Sequence, residues 1–220
     1  MELKNLNEFY KTHSKFYDMT RPFFLFNRKK AVELLNVYGW DKVIDLACGT
    51  GLNIPLLLKK TSPEKILGID YSEAMLEKAR KKFPKVRFVK GDISNYKFSE
   101  KADKIISTYS LSMVENLEET LSNVRNSLNY FGTFAILDFY KWKGGMKIFY
   151  PAFKFWLNQH GVEPEKNLES LLKKNFGKVE MFVLNSGYNF IAIAKYPKEK
   201  SKQEVFIRFP KTSSETGNFS

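Results

Sequence analysis

One cysteine, two histidines and no long uncharged run are what this chain of 220 residues offers in place of a disulfide, metal or membrane-spanning framework. Cys48 alone excludes an internal disulfide and a cysteine-based zinc cluster, and His13 and His160 stand far apart in sequence. No metal is expected. No stretch of about 18 uncharged apolar residues exists to cross a bilayer. Glu2, Lys4, Asn5 and Asn7 come before any apolar run, so no signal-peptide core is read. The expectation is a cytoplasmic protein, soluble or peripheral. Acidic residues are also short, 24 against 36 Lys and Arg, and the resulting net charge of +12 points to nucleic acid, an anionic lipid surface or an acidic substrate. Charge by itself does not choose among them. No low-complexity linker divides the chain, so one domain with appended ends is expected: 1–40 as N-terminal lid helices, 41–196 as the main domain, 197–220 as a basic tail.

The apolar pattern alternates between strand and helix. Strand-like runs lie near 42–47, 65–70, 86–90, 103–108, 131–138, 178–184 and 188–195, with helices at 52–60, 73–83, 117–129 and 164–175 and two more before them, at 3–18 and 22–38. Ser72 reads as an N-cap, and Asn116-Leu117-Glu118-Glu119 opens its helix like a capping box. Asn185-Ser186-Gly187 between two apolar runs reads as a hairpin turn. Such alternation specifies a mostly parallel α/β sheet with a ligand crevice at the strands' carboxyl ends.

Three of those strand ends carry nucleoside-binding chemistry. After Val43-Ile44-Asp45-Leu46 comes Ala47-Cys48-Gly49-Thr50-Gly51, where glycine lets the backbone approach a ligand. Asp70 ends the next strand about 20 residues on, where a carboxylate can accept both hydroxyls of a ribose. Asp92, with Ile93, ends a third and can bracket an adenine edge. Ile54 stands where a dinucleotide fingerprint has its third glycine, and Asp45 would repel a pyrophosphate while suiting a cationic amino-acid moiety. Cys48 is counted with this turn as a small packing residue, not a nucleophile.

This pattern closely resembles the class I S-adenosylmethionine-dependent methyltransferases, whose Rossmann-like sheet has seven strands. The resemblance implies S-adenosylmethionine as cofactor, with Asp45, Ala47, Gly49 and Gly51 around the methionine portion, Asp70 and Tyr71 at the ribose, Asp92 and Ile93 at the adenine, and Thr108 and Tyr109 beneath the sulfonium.

A narrower resemblance rests on Tyr17-Asp18-Met19-Thr20-Arg21-Pro22-Phe23-Phe24-Leu25, Tyr109-Ser110-Leu111-Ser112-Met113-Val114, Ile136-Leu137-Asp138-Phe139 and Gly161-Val162-Glu163-Pro164. These resemble the bacterial betaine-lipid methyltransferases, which trimethylate the amine of diacylglyceryl-homoserine; Tyr140, where a small residue is expected, and the basic tail depart from them. The likeness implies Tyr17 as a lid residue touching cofactor and acceptor, and a homoserine-lipid-forming enzyme as partner. Asp138 could orient the ammonium or take its proton, or only terminate its strand. Arg21 could pair with a headgroup carboxylate, and Tyr10, Tyr17, Tyr109 and Trp142 could cage a methylated cation. His13 and His160 could act as bases but read better as structural residues.

From Phe139 to Val162 no acidic residue occurs, while Lys141, Lys143, Lys147 and Lys154 interleave with aromatics, and Phe23-Phe24-Leu25-Phe26-Asn27-Arg28-Lys29-Lys30 repeats the combination. Both stretches suit a peripheral contact at the inner membrane face as well as an ordinary core helix. Rival acceptors are phosphatidylethanolamine and a quinone precursor. A nucleic-acid methyltransferase is disfavoured, because Ser107-Thr108-Tyr109-Ser110 lacks the Asn/Asp-Pro-Pro-Tyr/Phe signature. The remaining rival is a cofactor-binding protein without catalysis.

Overall fold

The computed structural model describes residues 26–141 and 167–199, with Pro151 and Phe155. Its strands are β1 (Val43–Leu46), β2 (Ile66–Asp70), β3 (Arg87–Lys90), β4 (Ala102–Thr108), β5 (Leu128–Phe139), β6 (Phe176–Leu184) and β7 (Asn189–Pro197). They form one seven-stranded sheet in the order β3-β2-β1-β4-β5-β7-β6. The first five run parallel, and β7 lies antiparallel between β5 and β6. The expected Rossmann-like methyltransferase sheet is present, including the closing hairpin through Asn185–Gly187.

Side chains alternate across this sheet, and each face has its own helices. Val43, Ile106, Ala135 and Leu137 pack with α1 (Arg28–Leu35), α2 (Ile54–Leu57) and α3 (Glu73–Lys82). Ile44, Ile105, Phe134 and Ile136 pack with α4 (Leu117–Ser127) and α5 (Leu168–Asn175). A strand with a helix layer on both faces has no solvent side, which is why β1 reads as a continuous buried run.

Several boundaries differ from the sequence reading. The second N-terminal helix starts at Arg28, where Asn27 takes a left-handed φ of 69°; the Asn27 amide donates to Asn185 Oδ1 at 2.7 Å and Asn189 Oδ1 at 3.1 Å. Contacts more than 150 residues away stop the helix there. Ala31, Val32 and Leu35 are buried in the sheet core, so α1 packs as a layer of the fold. The helix expected over 52–60 shortens to α2. Asn116 caps α4 as expected, accepting from Glu119 N–H at 3.1 Å and donating to its carboxylate at 2.9 Å. Ser72 stands at the N-cap of α3, but its hydroxyl makes no capping bond. No helix among the described residues is long and apolar enough to cross a membrane.

Gly68 shows how tightly the sheet's glycines are used. A β-carbon there would lie 2.5 Å from Phe88 Cδ1 and 3.0 Å from Cys48 Sγ, inside van der Waals contact. Gly68→Ala is expected to cost about 1–3 kcal/mol in urea unfolding, and an unchanged midpoint would mean that Phe88 can swing aside.

Candidate cofactor-binding site

The strand order reverses between β1 and β4, since β2 and β3 lie on one side of β1 and β4 on the other. Loops leaving adjacent strand ends diverge at such a point and leave a crevice. A cavity of about 230 Å3 lies there, lined by segments that follow β1, β2, β3 and β4. It gathers Ala47, Cys48, Gly49, Asp70, Tyr71, Asp92, Ile93, Thr108 and Tyr109, nine of the residues singled out in the sequence.

The turn after β1 is held by its neighbours. Ala47 and Gly49 take φ of 52° and 55°, and a β-carbon on Gly49 would meet nothing within 4 Å, so the missing side chain leaves open space beside the cavity. Asp70 fixes this turn: its Oδ2 accepts Gly49 N–H at 2.8 Å and its Oδ1 accepts Ser72 N–H at 2.8 Å. One carboxylate thereby ties the ends of β1 and β2 together. Burial pushes its pKa up, and the amides of Ser72, Gly49 and Tyr71 pull against that shift. Asp92 Oδ1 accepts both the N–H and the hydroxyl of Ser94, at 2.9 and 2.6 Å. Met75, Ile93, Met113 and Val114 supply apolar wall between these carboxylates. Acceptors at two strand ends with an apolar slot between them fit a nucleoside, and the open glycine turn fits the approach of the amino-acid end. Burial, then the charges of Asp45 and Asp70, push the Cys48 thiol pKa well up, so this cysteine is no nucleophile.

Three expected site residues sit elsewhere among the described ones. Gly51 turns the chain at φ 82° but does not line the cavity. Asp45 lies one layer behind the wall, wholly buried, with Oδ1 accepting from the Asn53 amide at 2.8 Å and Oδ2 without a hydrogen-bond partner among the described residues. Burial raises its pKa to about 7, against the Asn53 bond and the charge of Arg28. Asp138 is also away from the cavity. Its Oδ2 accepts Ser112 N–H at 2.9 Å, and its Oδ1 accepts the Ser112 hydroxyl and Phe139 N–H at 2.8 Å each. With its oxygens committed to the 3-10 turn Leu111–Met113, Asp138 is an anchor and not the acid-base group considered from sequence. Tyr10, His13, Tyr17, Arg21, Trp142 and His160 lie outside the described residues.

Tyr109 takes φ 55°, and its hydroxyl donates to Phe26 O at 2.7 Å while accepting from Asn189 Nδ2 at 2.9 Å. Burial raises its pKa. Its ring lies against a cation, the Arg28 guanidinium carbon standing 5.5 Å from the ring centroid. Arg28, Glu115 and Asn116 line the cavity although the sequence did not mark them as ligand-binding residues. Arg28 was legible only as part of a basic-aromatic run.

Comparison with known proteins agrees with this geometry. Residues 43–132 match a family model described as a methyltransferase domain. A trans-aconitate 2-methyltransferase of Enterobacter sp. (strain 638) is 35% identical over 111 residues, 49% of this chain and 44% of that protein. A demethylmenaquinone methyltransferase of Thermotoga maritima is 34% identical over 113 residues, 50% of this chain and 49% of that one. The chain thus spans less than half the length of each. Among solved structures, a SAM-dependent methyltransferase described as a possible histamine N-methyltransferase, from Thermotoga maritima, superposes with a TM-score of 0.65 at 17% identity, over 86% of this chain and 97% of that one. A SAM-dependent methyltransferase from Aquifex aeolicus gives 0.63 at 20% identity, over 84% and 97%. At such identities these two speak for the fold. Fold, glycine turn and matched segment agree on a methyltransferase domain at residues 43–132, set in a sheet of the Rossmann-like methyltransferase fold.

Proposed function

We propose that the chain is an N-methyltransferase acting on the amine headgroup of a membrane lipid, carrying diacylglyceryl-homoserine to its trimethyl betaine form at the inner membrane face. The observation that carries this reading is where the two basic-aromatic stretches join the fold. One leads into Phe26 and Arg28, the latter on the cavity wall, and the other leaves β5 just after Phe139, at the same carboxyl edge of the sheet. Phe26 stacks on Tyr188 at 5.1 Å and Tyr140 meets Phe190 at 5.6 Å, so both junctions are pinned to β7 and the turn before it. An acceptor greasy at one end and charged at the other suits such flanks.

S-adenosylmethionine supplies a methyl group on a sulfonium. The chain's part is binding and positioning: Asp70 and Tyr71 for the ribose, Asp92 and Ile93 for the adenine, and Ala47, Cys48, Gly49, Thr108 and Tyr109 for the remainder. Holding an amine in line with that methyl is worth more than any single acid or base. An ammonium acceptor must still lose a proton. Of the described carboxylates that line the cavity, Asp70 is bound to two amides and Asp92 to Ser94, which leaves Glu115 as the acceptor-side candidate. Tyr17 keeps the lid role the betaine-lipid resemblance implies, Arg21 its pairing with the headgroup carboxylate and Trp142 its place in an aromatic cage, and the homoserine lipid would come from a partner enzyme.

The likeness to a demethylmenaquinone methyltransferase favours a second reading, a quinone precursor as acceptor. The deciding assay is incorporation of labelled methyl into vesicles carrying diacylglyceryl-homoserine, phosphatidylethanolamine or a demethylated quinone. Three successive methyl additions to the homoserine lipid are expected. Label only in one of the others would overturn the homoserine assignment and leave methyl transfer standing.

A further inference from the structure

Asn189 opens β7, and it is wholly buried at the head of a strand that is otherwise apolar there, with Phe190, Ile191, Ala192, Ile193 and Ala194 following it into the core. Main chain alone registers this residue against Phe139 on β5 and Leu184 on β6, so the sheet does not need the side-chain amide. The amide is used elsewhere. Its Nδ2 donates to the Tyr109 hydroxyl at 2.9 Å, and its Oδ1 accepts from the Asn27 amide at 3.1 Å. We infer that Asn189 is a positioning residue for the cofactor site: it stands behind the cavity and sets the Tyr109 ring in the cavity wall. The inference rests on the cofactor reading above.

Tyr109 is a residue that has to be held. At φ 55° a residue with a β-carbon sits in a sparsely populated conformation that its surroundings must impose. Its N–H donates to Leu137 O at 2.6 Å, which fixes the backbone end, and its hydroxyl fixes the far end of the ring between Phe26 O and Asn189. An amide suits that second place because it gives a hydrogen on one side and accepts one on the other. Asn27 also donates to Asn185 in the turn before β7, so Phe26 and Asn27, just ahead of α1, are registered against the hairpin and Tyr109 together. The fold does not depend on the amide. With Asn189 replaced, the Tyr109 hydroxyl still has Phe26 O and the Asn27 amide still has Asn185. What the Asn189 bond adds is the direction of the Tyr109 ring.

The rival role for Asn189 is structural, and two substitutions separate the roles by moving stability and affinity in opposite orders. Asn189→Leu keeps the branching and the number of heavy atoms but removes both bonds, in a strand that already buries apolar side chains. Asn189→Asp buries a carboxyl group at a cost in stability, yet it still meets the Tyr109 hydroxyl, accepting from it when charged and donating to it when protonated. Calorimetric affinity for S-adenosylhomocysteine and melting temperature are measured for wild type, both variants, Tyr109→Phe and the double variant Tyr109→Phe/Asn189→Leu. The leucine variant is expected to melt higher than the aspartate variant but to lose about 10-fold in affinity, with the aspartate variant within about threefold of wild type. Tyr109→Phe is expected to lose about as much as Asn189→Leu, and the double variant no more than about twofold beyond either, because both act through one hydroxyl. Unchanged affinity in a folded Asn189→Leu, or losses that multiply in the double variant, would overturn the positioning role. So would a folded Asn189→Asp that loses as much as the leucine variant. Wild type that fails to bind S-adenosylhomocysteine would overturn the cofactor reading itself, before any variant is compared.

Discussion

Asp138→Ala is expected to cost the fold about 3–5 kcal/mol, because it leaves two buried amides and a hydroxyl without their acceptor and removes a charge they were arranged around. Asp138 is 2% exposed and accepts hydrogen bonds from Ser112 and Phe139. The 3-10 turn it holds leads directly into Met113, Val114, Glu115 and Asn116, which line the cavity. Loss of the anchor should therefore also loosen cofactor binding, as a consequence of the loosened turn. Ser112→Ala removes one of the three bonds and should cost about 1 kcal/mol. Urea unfolding of the two variants checks both values, and methyl transfer by whatever protein remains folded checks the role. An acid-base group would show the reverse pattern, with turnover lost and the unfolding midpoint unmoved.

The contrast between Asp138 and Asp70 explains what the chain's linear pattern can convey. Both are aspartates at the ends of buried strands, and both are hydrogen-bonded to main chain. Asp70 follows a glycine turn at the customary interval, so its place in a nucleoside site is a matter of local spacing. Asp138 has no such partner in sequence. Its bonds reach back 26 residues to Ser112, and only the pairing of β4 with β5 brings them together. The seven strands were readable for the same reason as Asp70, because alternation and turn residues act within a few positions. The start of α1 was not, because Asn27 is held by Asn185 and Asn189. Arg28 was read among the lysines of a basic-aromatic run, yet Lys29 is solvent-exposed and pairs with Glu33, while Arg28 turns inward to Asn53 and Thr108, 25 and 80 residues away.

Stability should fall as pH rises from about 4 to 7, and Asp45 should account for much of the fall. In the folded chain its pKa is raised to about 7, burial being the main cause, whereas the unfolded chain returns it to its ordinary value of 3.8. Between those values the folded state holds a proton that the unfolded state has released, so raising the pH favours unfolding. The contribution is fully present below about pH 4, is lost progressively up to about pH 7, and changes no further above that. Its size is on the order of 4 kcal/mol. Asp70 and Asp138 are displaced in the same direction, so the total slope does not isolate Asp45. Asp45→Asn does, since the amide keeps an acceptor for Asn53 and carries no charge at any pH. The variant should be less stable than wild type near pH 5, where its extra amide hydrogens lack an acceptor, and should close that gap or reverse it by pH 8, where wild type buries a carboxylate. Urea midpoints at pH 5, 6, 7 and 8 for both proteins decide the matter. Parallel slopes would mean that Asp45 stays ionised across the range, with Arg28 holding it so through Asn53 more strongly than burial opposes it.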